Sequence, residues 1–165
     1  MLPPDTPITT DVGSHKIFTA RHWRASTPNR YFVSNGLSAM GFGLPAAIAA
    51  ARVTEQVTVC ITGDGGLAMT MGELSLLDET KLPVIIVLMN DAALNLIREG
   101  QIRNNYPVFG TEFVNPDYEA IAKGFSLSFY RVYDETTLYK SIRTAIHARK
   151  PALIEVLVDA AGYVV

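Results

Sequence analysis

Short β-rich runs alternate along the chain with stretches in which apolar residues recur at helical spacing. The runs at 7–12, 30–35, 56–63, 82–90, 128–133 and 151–159 predict strands, and the stretches 16–23, 44–53, 70–81, 115–125 and 134–150 predict helices. In "VCITGDGGLAMT" the strand-forming run ends in Gly63-Asp64-Gly65-Gly66 and passes at once into what reads as a helix. The last two helical stretches open with Asn-Pro-Asp and Asp-Glu, whose side chains accept from the open N–H groups of a first turn and complement its dipole. The runs 56–63 and 82–90 are nearly continuous in Val, Ile and Leu where a half-exposed strand would alternate. Strands buried on both faces have that pattern. The expected fold class is therefore α/β: a parallel sheet flanked by helices on both faces, a Rossmann-like three-layer arrangement built from βαβ crossovers. No repeat or low-complexity segment interrupts it, and 165 residues suit a single domain spanning 1–165.

Composition narrows the function classes. Charged residues make up 18%, against about 25% in typical domains. Two causes fit: buried strands in a well-packed α/β domain, and a surface largely covered by other protein. A net charge of −2 with no basic stripe argues against nucleic acid as a partner. Cys60 is the single cysteine, so no intrachain disulfide forms, and its apolar neighbours predict a buried, unreactive thiol. The opening "MLPPDTPITT" has neither a basic region nor an apolar stretch, so no signal peptide is expected. The longest apolar run, "VIIVLM", falls far short of the ~18 residues that span a bilayer. The expectation is a cytoplasmic protein without membrane contact.

Ligands of parallel α/β sheets sit beyond the carboxyl ends of the strands. The strand exits here read Asp11-Val12-Gly13-Ser14-His15, Ser34-Asn35-Gly36, Gly63-Asp64-Gly65-Gly66 and Asn90-Asp91-Ala92-Ala93. Glycines at such junctions let backbone N–H groups approach a phosphate, yet Asp64 within the turn would repel one. Asp91 follows 27 positions later, a span filled by one helix, one strand and two short loops, which places both carboxylates at the same sheet edge. Two hard oxygen ligands beside phosphate-accepting turns suit a divalent cation, above all Mg²⁺, bridging to a phosphorylated ligand. The cation would offset the repulsion. Turn or helix-capping duty is the other reading of the two aspartates. A Walker loop is excluded, because no Gly-Lys-Ser/Thr follows the glycines. A dinucleotide fingerprint is poorly met, with Ala68 at its last glycine position and Asp91 in rough place of its acidic residue. A nucleotide-binding α/β domain therefore remains an alternative.

The segment "GDGGLAMTMGELSLLDETKLPVIIVLMND" resembles the thiamine diphosphate motif: Gly-Asp-Gly, then an Asn-Asn or Asn-Asp pair after an apolar strand. Upstream, "TTDVGSH" and "SNGLSAMGFGLPAAIAAA" are similar to the matching segments of acetolactate synthases and their relatives. The resemblance runs from about residue 9 to residue 158. It implies that Asp64, Asp91 and the Ala93 carbonyl bind Mg²⁺, and that Gly63 belongs to the same turn. It further implies that the backbone at Gly65, Gly66 and Leu96, with the Gly13-Ser14-His15 turn, holds the diphosphate. Met40 would support the bent cofactor between its rings, the Ser38 carbonyl would accept from the aminopyrimidine, and Met69 would line the pyrimidine side. Core packing is the plainer reading of Met40 and Met69, and a surface or capping place the plainer one of His15. His22 and His147 receive no role.

Two departures from the family stand out. The usual second asparagine is Asp91, which keeps an oxygen ligand and adds charge, and the tryptophan common a few residues later is replaced in "NLIREGQIRNN". That tryptophan shapes the substrate channel, so the particular 2-oxo acid is left open. The family's catalytic glutamate comes from a separate pyrimidine-binding domain, usually of a partner subunit. None of Glu73, Glu79, Glu99 and Glu112 matches it. The resemblance thus implies the diphosphate-binding, C-terminal part of a homo-oligomeric enzyme that decarboxylates 2-oxo acids or forms C–C bonds, a lyase or transferase inactive by itself. A naturally separate subunit and an excised domain both fit, as does a non-catalytic regulatory or assembly subunit that has lost the cofactor.

Overall fold

The computed structural model describes residues 2–159. Six strands, β1 (Ile8–Thr10), β2 (Tyr31–Val33), β3 (Thr58–Gly63), β4 (Val84–Asn90), β5 (Ser128–Val132) and β6 (Ala152–Leu157), form one sheet in the order β2-β1-β3-β4-β6-β5. Every pairing is parallel, with Ile8 opposite both Tyr31 and Val59, and Ile85 opposite both Val59 and Ala152. Each strand lies inside a run expected from the sequence and is shorter than it, because residues such as Asp11 and Asn35 leave the ladder for the turns.

The continuous apolar pattern of β4 has its cause in the two faces of the sheet. Val84, Ile86 and Leu88 pack with Leu44, Ala47, Leu67, Leu74, Leu77 and Tyr118 on one side. Ile85 and Val87 pack with Val59, Ile154, Leu138, Ile142, Ala145 and Ile146 on the other. Cys60 is fully buried in the first layer, and that burial pushes its thiol up to about 12.

Among the described residues seven helices accompany the sheet: α1 (Ser14–His22), α2 (Gly43–Thr54), α3 (Asp64–Thr70), α4 (Leu74–Thr80), α5 (Asn95–Arg103), α6 (Tyr118–Gly124) and α7 (Glu135–Ala148). Asp117 caps α6 by accepting from the Glu119 and Ala120 amides, and Asp134 closes a capping box with Thr137 at α7. Where one helix is expected over 70–81, a 3₁₀ turn at Met71–Glu73 separates α3 from α4. Thr70 leaves helical geometry there, and Leu67, Leu74 and Leu77 stay buried on both sides of the break. Helix α5 is absent from the sequence expectation. Asn95 is its only buried residue, so no apolar stripe marks it. No helix among the described residues is long and apolar enough to cross a membrane.

The strand order sets the position of the site. The connection from β1 leads to β2 on one side, while β3 leads to β4 on the other. Where successive crossovers diverge, the loops splay and leave a crevice at the carboxyl ends of the strands.

Candidate functional site

A cavity of about 260 Å³ lies at the carboxyl ends of β1, β3 and β4. Gly13, Ser14, His15, Ser38, Met40, Gly63, Asp64, Gly65, Gly66, Asp91, Ala93 and Leu96 all line it. Met69 is not part of that lining and is 63% exposed. Five positions after Asp64 in a continuous helix, it is rotated roughly 140° from the aspartate. His22 and His147 lie away from the cavity, in α1 and α7.

Asp64 opens α3 and is only 2% exposed. Its Oδ1 accepts from the Gly65 amide at 2.8 Å, and its Oδ2 accepts from the Ala92 amide and Asn115 Nδ2, each at 2.7 Å. Asp91 accepts from the Ala93 amide at 3.2 Å and from Asn95 Nδ2. Ala92 between them takes a left-handed conformation, φ 55°, an uncommon state for a residue with a Cβ. It is held by the Phe113 amide, which donates to its carbonyl at 3.1 Å. Among the described residues no three His, Cys, Asp or Glu side chains converge as a metal cluster. A cation here would have two carboxylates and must complete its shell from carbonyls, water or ligand oxygens, which is the donor set that suits Mg²⁺.

The glycines of the turn are needed for space. A Cβ on Gly66 would sit 2.7 Å from a carboxylate oxygen of Asp11 and 3.0 Å from Thr62 Oγ1. Gly65 faces the tips of Leu94 and Met40 at 2.9 and 3.0 Å. Gly13, with φ 152°, leaves room for the His15 ring, which a Cβ would meet at 2.5 Å.

Asp11 is a residue that sequence reasoning missed, although it stands two places before Gly13 at a quoted strand exit. Its buried carboxylate accepts from the amides of Val12, Gly41 and Gly43 and from the Thr62 hydroxyl. It thereby ties β1 and β3 to the loop that carries Ser38 and Met40 to the cavity. Ser38, itself left-handed at φ 49°, is further held by Lys16, whose Nζ donates to its hydroxyl at 3.2 Å.

His15 lines the cavity with its Nε2 buried and without a hydrogen-bond partner. Burial lowers its pKa to about 4, against the opposing pull of Asp11 and Asp64. The ring is therefore neutral at pH 7 and is a proton acceptor in the unfolded chain before it is one in the folded chain. Stability carried by the neutral ring is present above pH 6.5 and is lost as pH falls towards 4, by on the order of 3 kcal/mol. His15→Gln should flatten the fall in unfolding free energy between pH 6.5 and 4, measured by urea titration at each pH. An unchanged slope would show that other groups set the acid sensitivity.

Residues 11–156, which contain this whole constellation, match the family described as "Thiamine pyrophosphate enzyme, C-terminal TPP binding domain". The chain belongs to that family. This TPP-binding domain is 38% identical over 156 residues to the acetolactate synthase isozyme 1 large subunit of Escherichia coli, covering 93% of the present chain and 28% of that relative. It is 34% identical to the isozyme 2 large subunit of the same organism, over 95% of this chain and 29% of the relative. A putative thiamine pyrophosphate-containing protein of Bacillus subtilis is 31% identical over 93% and 27%. The domain thus spans less than a third of the length of these relatives.

Proposed function

We propose that the cavity binds Mg²⁺ and the diphosphate of thiamine diphosphate, and that the chain is the C-terminal part of an acetolactate synthase-like enzyme acting on 2-oxo acids. The observation that carries this reading is the convergence of Asp64, Asp91, the Ala93 backbone and the Gly63–Gly66 turn on one cavity, beside the unpartnered Nε2 of His15. Asp64, Asp91 and the Ala93 carbonyl would hold the metal. The Gly65, Gly66 and Leu96 backbone and the Gly13-Ser14-His15 turn would bind the phosphates. Met40, which lines the same cavity, would support the bent cofactor between its rings, and the Ser38 carbonyl would accept from its amino group. Met69, outside the cavity, would reach the pyrimidine side only where a further domain closes over α3.

When bound, the cofactor supplies an electron sink for breaking or forming the bond next to a carbonyl, while the protein supplies orientation and electrostatics. Among the described residues no glutamate lines the cavity. The proton-handling glutamate would therefore come from a pyrimidine-binding domain of the same or a partner chain, in a homo-oligomeric enzyme. Isothermal titration with thiamine diphosphate should give heat in Mg²⁺ that EDTA removes, and the isolated chain should show no pyruvate turnover. Metal-independent binding of adenine nucleotides, with no response to thiamine diphosphate, would overturn the reading. Pyruvate decarboxylation by the pure chain would overturn the need for a second domain.

A further inference from the structure

Asn115 stands half-buried in the loop before α6, and its amide is shared between two groups. Its Nδ2 donates to Asp64 Oδ2 and to Asn90 Oδ1, both at 2.7 Å, while its Oδ1 accepts from the Tyr118 hydroxyl at 3.0 Å. The network continues outward to Glu155, which accepts from both sides. Asn90 Nδ2 donates to Glu155 Oε1 at 2.7 Å, and Arg131 Nε donates to Glu155 Oε2 at 2.7 Å. The segment before Asn115 also grips the other half of the site. The Leu94 amide donates to the Thr111 carbonyl at 2.7 Å, the Phe113 amide donates to the Ala92 carbonyl, and Ala93 bridges Glu112 in antiparallel fashion.

We infer that Asn115 is a positioning residue that fixes the rotation of the Asp64 carboxylate and its spacing from the Asp91–Ala93 turn; this rests on the reading that Asp64 binds the cation. Two donors occupy Oδ2, from Ala92 and Asn115, whereas Oδ1 takes one bond from its own neighbour Gly65. Turning the carboxylate would break both Oδ2 bonds, so Oδ1 is the oxygen with capacity left for a metal. Asn90 holds the Asn115 amide against Asp64 by accepting its second N–H, and Tyr118 tethers its far side to α6. Outer partners that orient ligating carboxylates typically change metal affinity 10–100-fold when removed.

The test measures Mn²⁺ affinity of the chain by the resonance signal of unbound Mn²⁺, with thiamine diphosphate in excess, beside the melting temperature of the metal-free chain. Asn115→Ala should weaken Mn²⁺ binding about 10–100-fold, and Asn115→Ser, which keeps a donor, should recover part of that loss. Tyr118→Phe removes the tether and leaves the amide on Asp64, so it should lower the melting temperature while Mn²⁺ binding stays near wild type. Wild-type affinity in Asn115→Ala, with only its melting temperature lowered, would overturn the inference and reduce Asn115 to a loop tether. Failure of both Asn115 variants to fold would overturn it too. Should the wild-type chain bind no Mn²⁺, the reading of the cavity itself fails; should Asp64→Ala lose binding while the Asn115 variants keep it, only this inference fails.

Discussion

Asp64→Ala is expected to abolish metal-dependent binding of thiamine diphosphate, with at least a thousandfold loss in affinity. Two unit charges about 4 Å apart at an effective dielectric near 20 interact by about 4 kcal/mol, which corresponds to about three decades in a binding constant. The cation would be divalent, so this figure is a floor. The side chain is also the acceptor for Gly65, Ala92 and Asn115, and its removal leaves those donors to relax around a gap. Asp64→Asn separates the two effects, since it keeps the volume and removes the charge. Calorimetry in Mg²⁺ and then EDTA reads the result. Heat that survives in Asp64→Ala and still vanishes with EDTA would move the metal to another site.

Asp11→Ala should cost about 3–5 kcal/mol of stability, the largest loss expected from any polar substitution in this domain. Hydrogen bonds to charged acceptors contribute about 1.5–3 kcal/mol each, and buried donors left without partners add their desolvation. Asp11 is 1% exposed and serves the amides of Val12, Gly41 and Gly43 together with the Thr62 hydroxyl. Unlike the Asp64 effect, this one should be the same with and without Mg²⁺. Urea unfolding followed by circular dichroism measures it. A midpoint equal to wild type would mean that water replaces the carboxylate as acceptor, and that the Ser38–Met40 loop is held by other contacts.

The sequence made the architecture legible because its strongest signals are about burial. The Val-Ile-Leu runs of β3 and β4 announce strands covered on both faces, and Asp117 and Asp134 announce two helix starts where caps are indeed found. The glycine turns and the two aspartates mark the sheet edge where the cavity lies. What stayed hidden depends on contacts between segments remote in sequence. Asp11 looks like any turn aspartate until β1 and β3 are paired and the 38–43 loop folds over it. Asn115 reads as part of a helix start, although Asp117 is the cap and Asn115 turns to Asp64, 51 positions away. Helix α5 carries its Ile97 and Ile102 largely exposed, so the hydrophobic period that reveals a helix is missing.

The order of the strands also says when the site comes into being. Strand β4 pairs with β6, so Ile85 and its neighbours wait for Ala152 and the residues after it before the sheet closes. Until β6 docks, β4 presents an open edge of the kind that recruits other chains. The same docking brings Glu155 to Asn90. During N-to-C synthesis, then, the glycine turn, both aspartates and Asn115 precede β6, and the bond that anchors Asn90 to Glu155 forms only once β6 is made. A chain halted before β6 would carry every residue of the candidate metal site at the carboxyl ends of β1, β3 and β4 and lack both the strand that covers the open edge of β4 and the bond from Asn90 to Glu155.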